Sequence, residues 1–327
     1  MRSTIIIPNY NGLEYLKPCL KSLVMDVDSQ LDEIIIVDNA STDQSISYVN
    51  DNYPQVNVVV LERNYGFAGA VNKGIAAAKG RFVVLLNNDT EVCKGWHTSL
   101  IETIESDTRI FSVSSKMIQM NNKDFIDDAG DGYTVLGWAF KRGDGHKIVH
   151  YNEPEEVFSS CAGAAIYRKD IFEQIGVFDE EFFAYLEDID VSYRAKVHGY
   201  VNYYSPAAKV YHVGSATSGE IKGNLNSFKV HISARNNVYL IYKNMPFLQI
   251  LINSPLLFMG FLWKWRVYAR LGFGKDFLKG TLQGWSGLGR INRVRHKFKY
   301  VPNYLRIEKE LILNTFSYYN SRKERDK

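Results

Sequence analysis

The sequence predicts an α/β fold with a mostly parallel central sheet, followed by a helical, basic C-terminal region. Three observations predict it. β-Branched runs alternate with helix-length stretches over the first third of the chain, which is the pattern of right-handed βαβ units. Each run ends in small or polar residues, so one sheet edge gathers the reactive groups, as in open α/β sheets that bind ligands there. The charge balance then reverses. Residues 1–240 hold 22 Lys/Arg against 31 Asp/Glu, and residues 241–327 hold 17 against 5.

The strands are expected at Thr4–Pro8, Glu33–Val37, Val56–Leu61 and Arg81–Leu86, each a short apolar run closed by a polar cluster. Helices are expected between them at Leu13–Met25, Asp43–Tyr53 and Phe67–Ala78. Residues 116–155 scatter five glycines among polar residues and suggest a long loop, a lid or an acceptor-binding excursion. Ser159–Arg168 returns to small and apolar residues, and Asp170–Ile175 is a short helix ending at Gly176. Ile189, Tyr193 and Val197 share one face of a helix, and Ala208–Val213 is a further strand. From about residue 227 the pattern is helical, aromatic and basic.

Composition excludes several classes. With 46% apolar and 23% charged residues the chain is globular and long enough to bury a sizeable core. Cys19, Cys93 and Cys161 are odd in number and widely spaced, which fits a reducing cytosol and no disulfide framework. Ile5–Pro8 is too short for a signal-peptide core. The apolar tract Met245–Trp263 is interrupted by Pro246, Gln249, Asn253 and Pro255, so a membrane-spanning helix is not expected.

The residues that carry chemistry stand at strand ends. Leu186-Glu187-Asp188-Ile189-Asp190 follows an aromatic-rich loop, where packing explains adjacent carboxylates poorly. Asn87-Asn88-Asp89 follows the apolar run Phe82–Leu86, and His212 closes a later strand. Together they suggest one site, with Asp89 and His212 on a divalent metal and Glu187/Asp188 handling a proton. The bland alternative is an acidic helix start complementing the macrodipole. Asp38 is either a helix cap or an acceptor for the ring N–H of uracil or thymine. The segment Arg63–Gly74, with Arg63, Asn64, Asn72 and Lys73, is either a diphosphate-cradling loop or a helix start packed closely through small residues.

These segments match a family. Ile6–Gly12, Val37–Asp43, the 63–74 loop, Asn87-Asn88-Asp89, Gly163–Arg168 and Phe178–Asp190 resemble the inverting family 2 glycosyltransferases with the Rossmann-like GT-A fold. The resemblance covers about residues 3–215, and within the family the chain is most similar to bacterial rhamnosyltransferases of surface polysaccharide assembly. With the strand–helix alternation and the compositional switch near residue 240, a catalytic domain is expected over residues 1–225 and a helical, basic C-terminal region over 226–327. Pro8 and Asn11 would line the nucleotide pocket, Asp38 would read the base, and Asn64 would lie near ribose and phosphates. Asn88 and Asp89 match the last two positions of the family's Asp-x-Asp motif, with Asn87 in place of the first Asp. Asp89 and His212 match the metal ligands, Asp188 the general base and Glu187 its acidic neighbour, expected to raise the Asp188 pKa.

The chemistry calls for these residue types. Displacing a nucleoside diphosphate builds charge that a divalent cation stabilises, and the acceptor hydroxyl needs a carboxylate base. Imidazole suits Mn²⁺, whereas Mg²⁺ prefers oxygen. The expected donor is a dTDP- or UDP-sugar, and the acceptor a saccharide, free or lipid-linked. A catalytically silent nucleotide-sugar-binding scaffold is the alternative.

In the C-terminal region, aromatic and cationic residues mix in Trp263–Arg270 beside the apolar tract, as in an interfacial helix on anionic lipid. This predicts peripheral attachment to the inner face of the cell membrane. A helical hairpin packing on the catalytic domain or in a homo-oligomer is the alternative, and no nucleic-acid-binding module is present in the sequence.

Overall fold

The computed structural model describes residues 1–214 and 225–325. Its elements run β1 (Ser3–Asn9), α1 (Leu13–Leu23), β2 (Asp32–Asp38), α2 (Ser45–Asn52), β3 (Asn57–Val60), α3 (Gly66–Ala77), β4 (Phe82–Leu86), β5 (Thr90–Val92) and α4 (Trp96–Glu105). Next come β6 (Ile110–Gln119), β7 (Ile126–Asp128), β8 (Asp131–Tyr133), β9 (Ala139–Lys141), β10 (Glu155–Val157) and β11 (Ala164–Arg168). The chain continues through α5 (Lys169–Ile175), α6 (Glu187–Val197), β12 (Val201–His212), α7 (Ser227–Asn244), α8 (Phe247–Arg270), α9 (Gly274–Ser286) and α10 (Val301–Arg325).

The main sheet has the order β10-β12-β6-β11-β4-β1-β2-β3. β1 pairs in parallel with β2 and β4, β2 with β3, and β6 with β12; β11 inserts antiparallel between β4 and β6. Six strands therefore point the same way, and the C-terminal ends of β1, β2, β4 and β12 share one edge. Period-two alternation sorts the side chains. Ile5, Ile7, Ile34, Ile36, Val84 and Leu86 face α1 and α4, while Ile6, Ile35, Val37, Val83 and Leu85 face α3, α5 and α6. Burial on both faces explains why the strands are continuously apolar.

The segment 116–155 differs from the expected loop. β6 extends to Gln119, and β7 to β10 return in short antiparallel pieces. Three-residue strands built from Asp, Gly and Lys are held by backbone pairing and leave no periodic signal. Gly130 takes φ +88°, a left-handed turn between β7 and β8.

Pro255 does not break α8. Its missing N–H would have bonded the Leu251 carbonyl, and the Ser254 hydroxyl donates to that carbonyl at 2.8 Å instead. The resulting 24-residue helix is, among the described residues, the one long and apolar enough to cross a membrane by length and composition. It also carries a polar seam: Gln249 and Asn253 both donate to Glu308 of α10, at 2.6 and 2.9 Å. The Gly260 carbonyl accepts from the Trp138 indole at 3.0 Å.

The compositional switch near residue 240 is not a break in packing. Tyr239, Leu240, Met245, Tyr300, Tyr304, Ile307 and Leu311 share one buried cluster with Tyr133, Phe158, Phe182, Ile189 and Tyr193. The C-terminal helices thus complete the core behind α6.

Candidate active site

At the β1 and β2 ends, Asp38 is almost fully buried; Asn9 donates to one oxygen at 3.1 Å and the Ser41 amide to the other at 2.9 Å. It does not cap α2, which begins at Ser45 with Asp43 accepting the Ser45 amide. Asn11 accepts from the Thr42 amide at 2.7 Å and donates its own amide to the Ser41 hydroxyl at 2.9 Å. The loops after β1 and β2 are thereby tied beside half-buried Pro8. Asn88 joins them from β4, donating to Asn9 at 2.8 Å. Gly12 is required beneath it, since a Cβ there would fall 2.1 Å from the Asn88 amide nitrogen.

The 63–74 segment is a closely packed helix start, with α3 beginning at Gly66. The Gly66 amide donates to Asn64, and the Ala68 amide to the Phe183 carbonyl. Asn64 turns its amide oxygen inward, where it also accepts from Asn39. The Asn72 amide is committed to the Phe178 backbone, donating to its carbonyl and accepting from its N–H, and it also donates to Glu180. Asn72 therefore holds the following loop. Arg63 and Lys73 are exposed and lie over the Tyr65 ring at 4.7 and 6.0 Å, so both remain open to an anion. The physical reason is close approach: a Cβ on Gly66 would sit 2.4 Å from the Phe183 oxygen.

Asp89 and His212 meet. His212 Nε2 lies 3.3 Å from Asp89 Oδ1, and Nδ1 lies 2.8 Å from Asp127 Oδ2. Burial pushes the imidazole pKa down, but hydrogen bonds to Asp127 and Asp89 outweigh it and raise it to about 9. A ring held at Nδ1 by a carboxylate, with Nε2 turned to a second carboxylate, is how histidine metal ligands are oriented. The donor set therefore fits a divalent cation. Lys141 lies 3.0 Å from Asp127, which is held well below the usual carboxylate range although burial opposes it.

Asp188 is half-buried in the first turn of α6, its Oδ1 accepting the Ile189 amide at 2.8 Å. Burial raises its pKa, opposed by backbone donors from Ile189 and Ala162. Glu187 is more deeply buried, and its Oε2 has no hydrogen-bond partner among the described residues. Burial and the Asp188 charge push Glu187 far up. Both carboxyls are therefore raised, as expected for Asp188, with burial the larger cause in each. Asp190, grouped with them by sequence, is structural. It is fully buried and bonded to Arg194, Lys243 and Asn244 at 2.8–3.0 Å.

Residues that sequence reasoning missed come from the supposed loop. Asp128, Asp131 and Cys161 bring ligand-type atoms within 4.8 Å of one another. Burial raises Asp128 to about 7, and it raises Asp131 and the Cys161 thiol well above their ordinary values; the Asp188 charge adds to all three. Lys141 supplies positive charge beside the set. The available signal was the spacing Asp127-Asp128-Ala129-Gly130-Asp131, carboxylates around a turn glycine. Asn39 was also missed; it bonds Asn64, Tyr65 and Gly66 from the end of β2.

Comparison with known proteins gives a consistent picture. The family model described as Glycosyl transferase family 2 matches residues 4–176. The chain is 32% identical over 130 residues to an uncharacterized glycosyltransferase of Nostoc, covering 39% of this chain and 38% of that one. It is 23% identical over 247 residues to the N-acetylglucosaminyl-diphospho-decaprenol L-rhamnosyltransferase of Mycobacterium tuberculosis, covering 66% and 77%. The chain spans well under half the length of several such relatives, 25% in the case of a Sinorhizobium fredii protein. The crystal structure of GalNAc-T7 with UDP, GalNAc and Mn²⁺ superposes with a TM-score of 0.60 at 18% identity, covering 74% of this chain and 47% of that one. The likeness is of fold, and that fold is GT-A.

Proposed function

The chain belongs to glycosyl transferase family 2 and is a glycosyltransferase, and from that premise we propose a metal-dependent, inverting transfer from a nucleotide-diphosphate sugar to a saccharide acceptor. The observation that carries this is the Asp127–His212–Asp89 relay at the β4 and β12 ends, next to the loops of Asp38 and Asn88. Asp89 and His212 would hold the cation, which when bound stabilises charge on the departing diphosphate. Asp38 and Asn11 bind the nucleoside, Asn88 orients the donor, and exposed Arg63 and Lys73 offset phosphate charge. Asp188 takes the acceptor hydroxyl proton, and Glu187, more deeply buried, stands behind it as its acidic neighbour. Rhamnose as the sugar and a lipid-diphosphate acceptor are favoured by the likeness to the mycobacterial N-acetylglucosaminyl-diphospho-decaprenol L-rhamnosyltransferase.

The test is a turnover and thermal-shift screen over dTDP-, UDP- and GDP-sugars with Mn²⁺, Mg²⁺ or EDTA. Transfer from a dTDP- or UDP-sugar, abolished by EDTA, is expected. Asp127→Asn should weaken Mn²⁺ binding about 10–100-fold by releasing the imidazole. Asp89→Ala should do more than His212→Ala, because it removes charge as well as a ligand. Turnover indifferent to EDTA, with metal binding unchanged in these variants, would refute the metal assignment.

The proposal extends to a membrane surface on the cytoplasmic side. Leu248, Ile252, Met259 and Trp263 line one face of α8 at 64%, 66%, 60% and 57% exposure, about a quarter-turn around the helix from the Gln249/Asn253 seam. Exposed Leu282 and Trp285 on α9 add to it, among the surplus Lys and Arg of this region. An apolar face ringed by cations suits anionic lipid. Flotation with anionic liposomes is expected for the full chain, weaker but not lost at high salt, and lost in Leu248→Glu/Ile252→Glu. A chain that never floats but changes oligomeric mass in that variant would make this face a protein contact.

A further inference from the structure

Phe183, Tyr185 and Leu186 have φ of 61°, 70° and 69°, the left-handed region that residues with a Cβ avoid. None is glycine, and they lie directly before Glu187-Asp188. Such conformations persist only where surrounding groups over-determine them. Here those groups come from outside the turn. Asn236 of α7 is fully buried and donates its amide to the carbonyls of Phe182, Ala184 and Tyr185 at 2.8, 2.8 and 2.7 Å. One NH₂ group offers two hydrogens, so three acceptors share them. A terminal nitrogen of Arg235 donates to the Glu181 and Phe182 carbonyls at 2.9 Å each, while its Nε donates to Asn236 Oδ1 at 3.0 Å and fixes which way that amide points. The Phe183 carbonyl accepts from Ala68 on the opposite side. All five carbonyls from 181 to 185 are thus held from α7 or α3.

We propose that Arg235 and Asn236 are positioning residues for Asp188, a clamp from the C-terminal helices that holds the left-handed turn presenting the carboxylate. The proposal rests on Asp188 being the base. It also gives α7 a role that composition did not suggest. α9 closes against α7 through Gly280 and Gly284, where added Cβ atoms would fall 2.1 and 2.8 Å from the His231 and Arg235 carbonyl oxygens. The clamp is therefore backed by the helix that carries Leu282 and Trp285.

Asn236→Asp separates hydrogen bonding from shape, because it keeps the volume but replaces the donor with oxygen facing three carbonyls. It is expected to lower kcat about 10–100-fold, the scale of a small misplacement of a reacting group. The affinity for dTDP and UDP with Mn²⁺ should hold in calorimetry, and amides 183–188 should exchange faster than those of β1 and β4. Arg235→Met, which drops two carbonyl bonds and frees the Asn236 oxygen, should shift the same readouts less. Full kcat in a folded Asn236→Asp overturns the proposal, as does a kcat loss matched by equal losses of nucleotide affinity and melting temperature. If Asn236→Asp does not fold, Arg235→Met decides by the same criteria. An inactive Asp188→Asn beside an active Asn236→Asp overturns the clamp alone, whereas an active Asp188→Asn overturns the base.

Discussion

Asp188→Asn is expected to lower kcat by at least about 10²-fold while nucleotide-sugar binding stays near that of the unchanged protein, because only the proton acceptor is lost. The geometry selects Asp188 over its neighbour. Asp188 is half-buried and receives the Ile189 amide at 2.8 Å, so its charged form is solvated by the helix start. Glu187 is buried with Oε2 unpartnered among the described residues, and burial plus the Asp188 charge push its pKa well up. The two titrate together, and with Asp188 raised above the usual carboxylate range, kcat/KM should climb with pH through an apparent pKa above 3.8. Single-turnover assays across pH would show this limb. Near-normal turnover in Asp188→Asn with an inactive Glu187→Gln would reverse the two roles.

Asp190→Ala, two residues further on, is expected to destabilise the fold by about 3–5 kcal/mol without acting on the chemistry. The carboxylate is fully buried and bonded to Arg194, Lys243 and Asn244, so its removal strands buried cations. The loss should fall toward the lower end, since Lys243 keeps Asp179 at 2.6 Å and Arg194 keeps the carbonyls of Ile175, Gly176 and Val177. Burial raises the Asp190 pKa, but Arg194 and Lys243 outweigh it and bring it to about 2. Its stabilisation is therefore present above the unfolded value of 3.8 and lost as pH falls through about 2. Urea denaturation at neutral pH measures the effect, and a change below about 1 kcal/mol would show that the network carries little of the stability.

Much of the first hundred residues was legible because burial on both sheet faces forces apolar strands with polar ends. Strands expected at Thr4–Pro8, Glu33–Val37 and Arg81–Leu86 form within a residue of their expected ends. The motif residues stood out for the same reason: Asp38 and Asp89 break buried runs. The segment 116–155 was illegible because its strands are short and glycine-spaced, so Asp127, Asp128 and Lys141 lay hidden in an apparent loop. Pro255 misled because the compensating Ser254 hydroxyl is a single local bond.

What the sequence determined alone was the family, the α/β fold and the set of polar residues placed at strand ends. Those follow from local periodicity and from residue types that buried strands otherwise exclude. Only the tertiary structure decided how these residues are used. It tied Asn72 to the Phe178 backbone, made Asp190 a buried counterion, buried Glu187 behind Asp188, and brought Asp127 behind His212. It also seated α7 on the turn before Glu187 through Asn236. Each depends on which groups meet across tens of residues and how much water is left between them, and both are properties of packing.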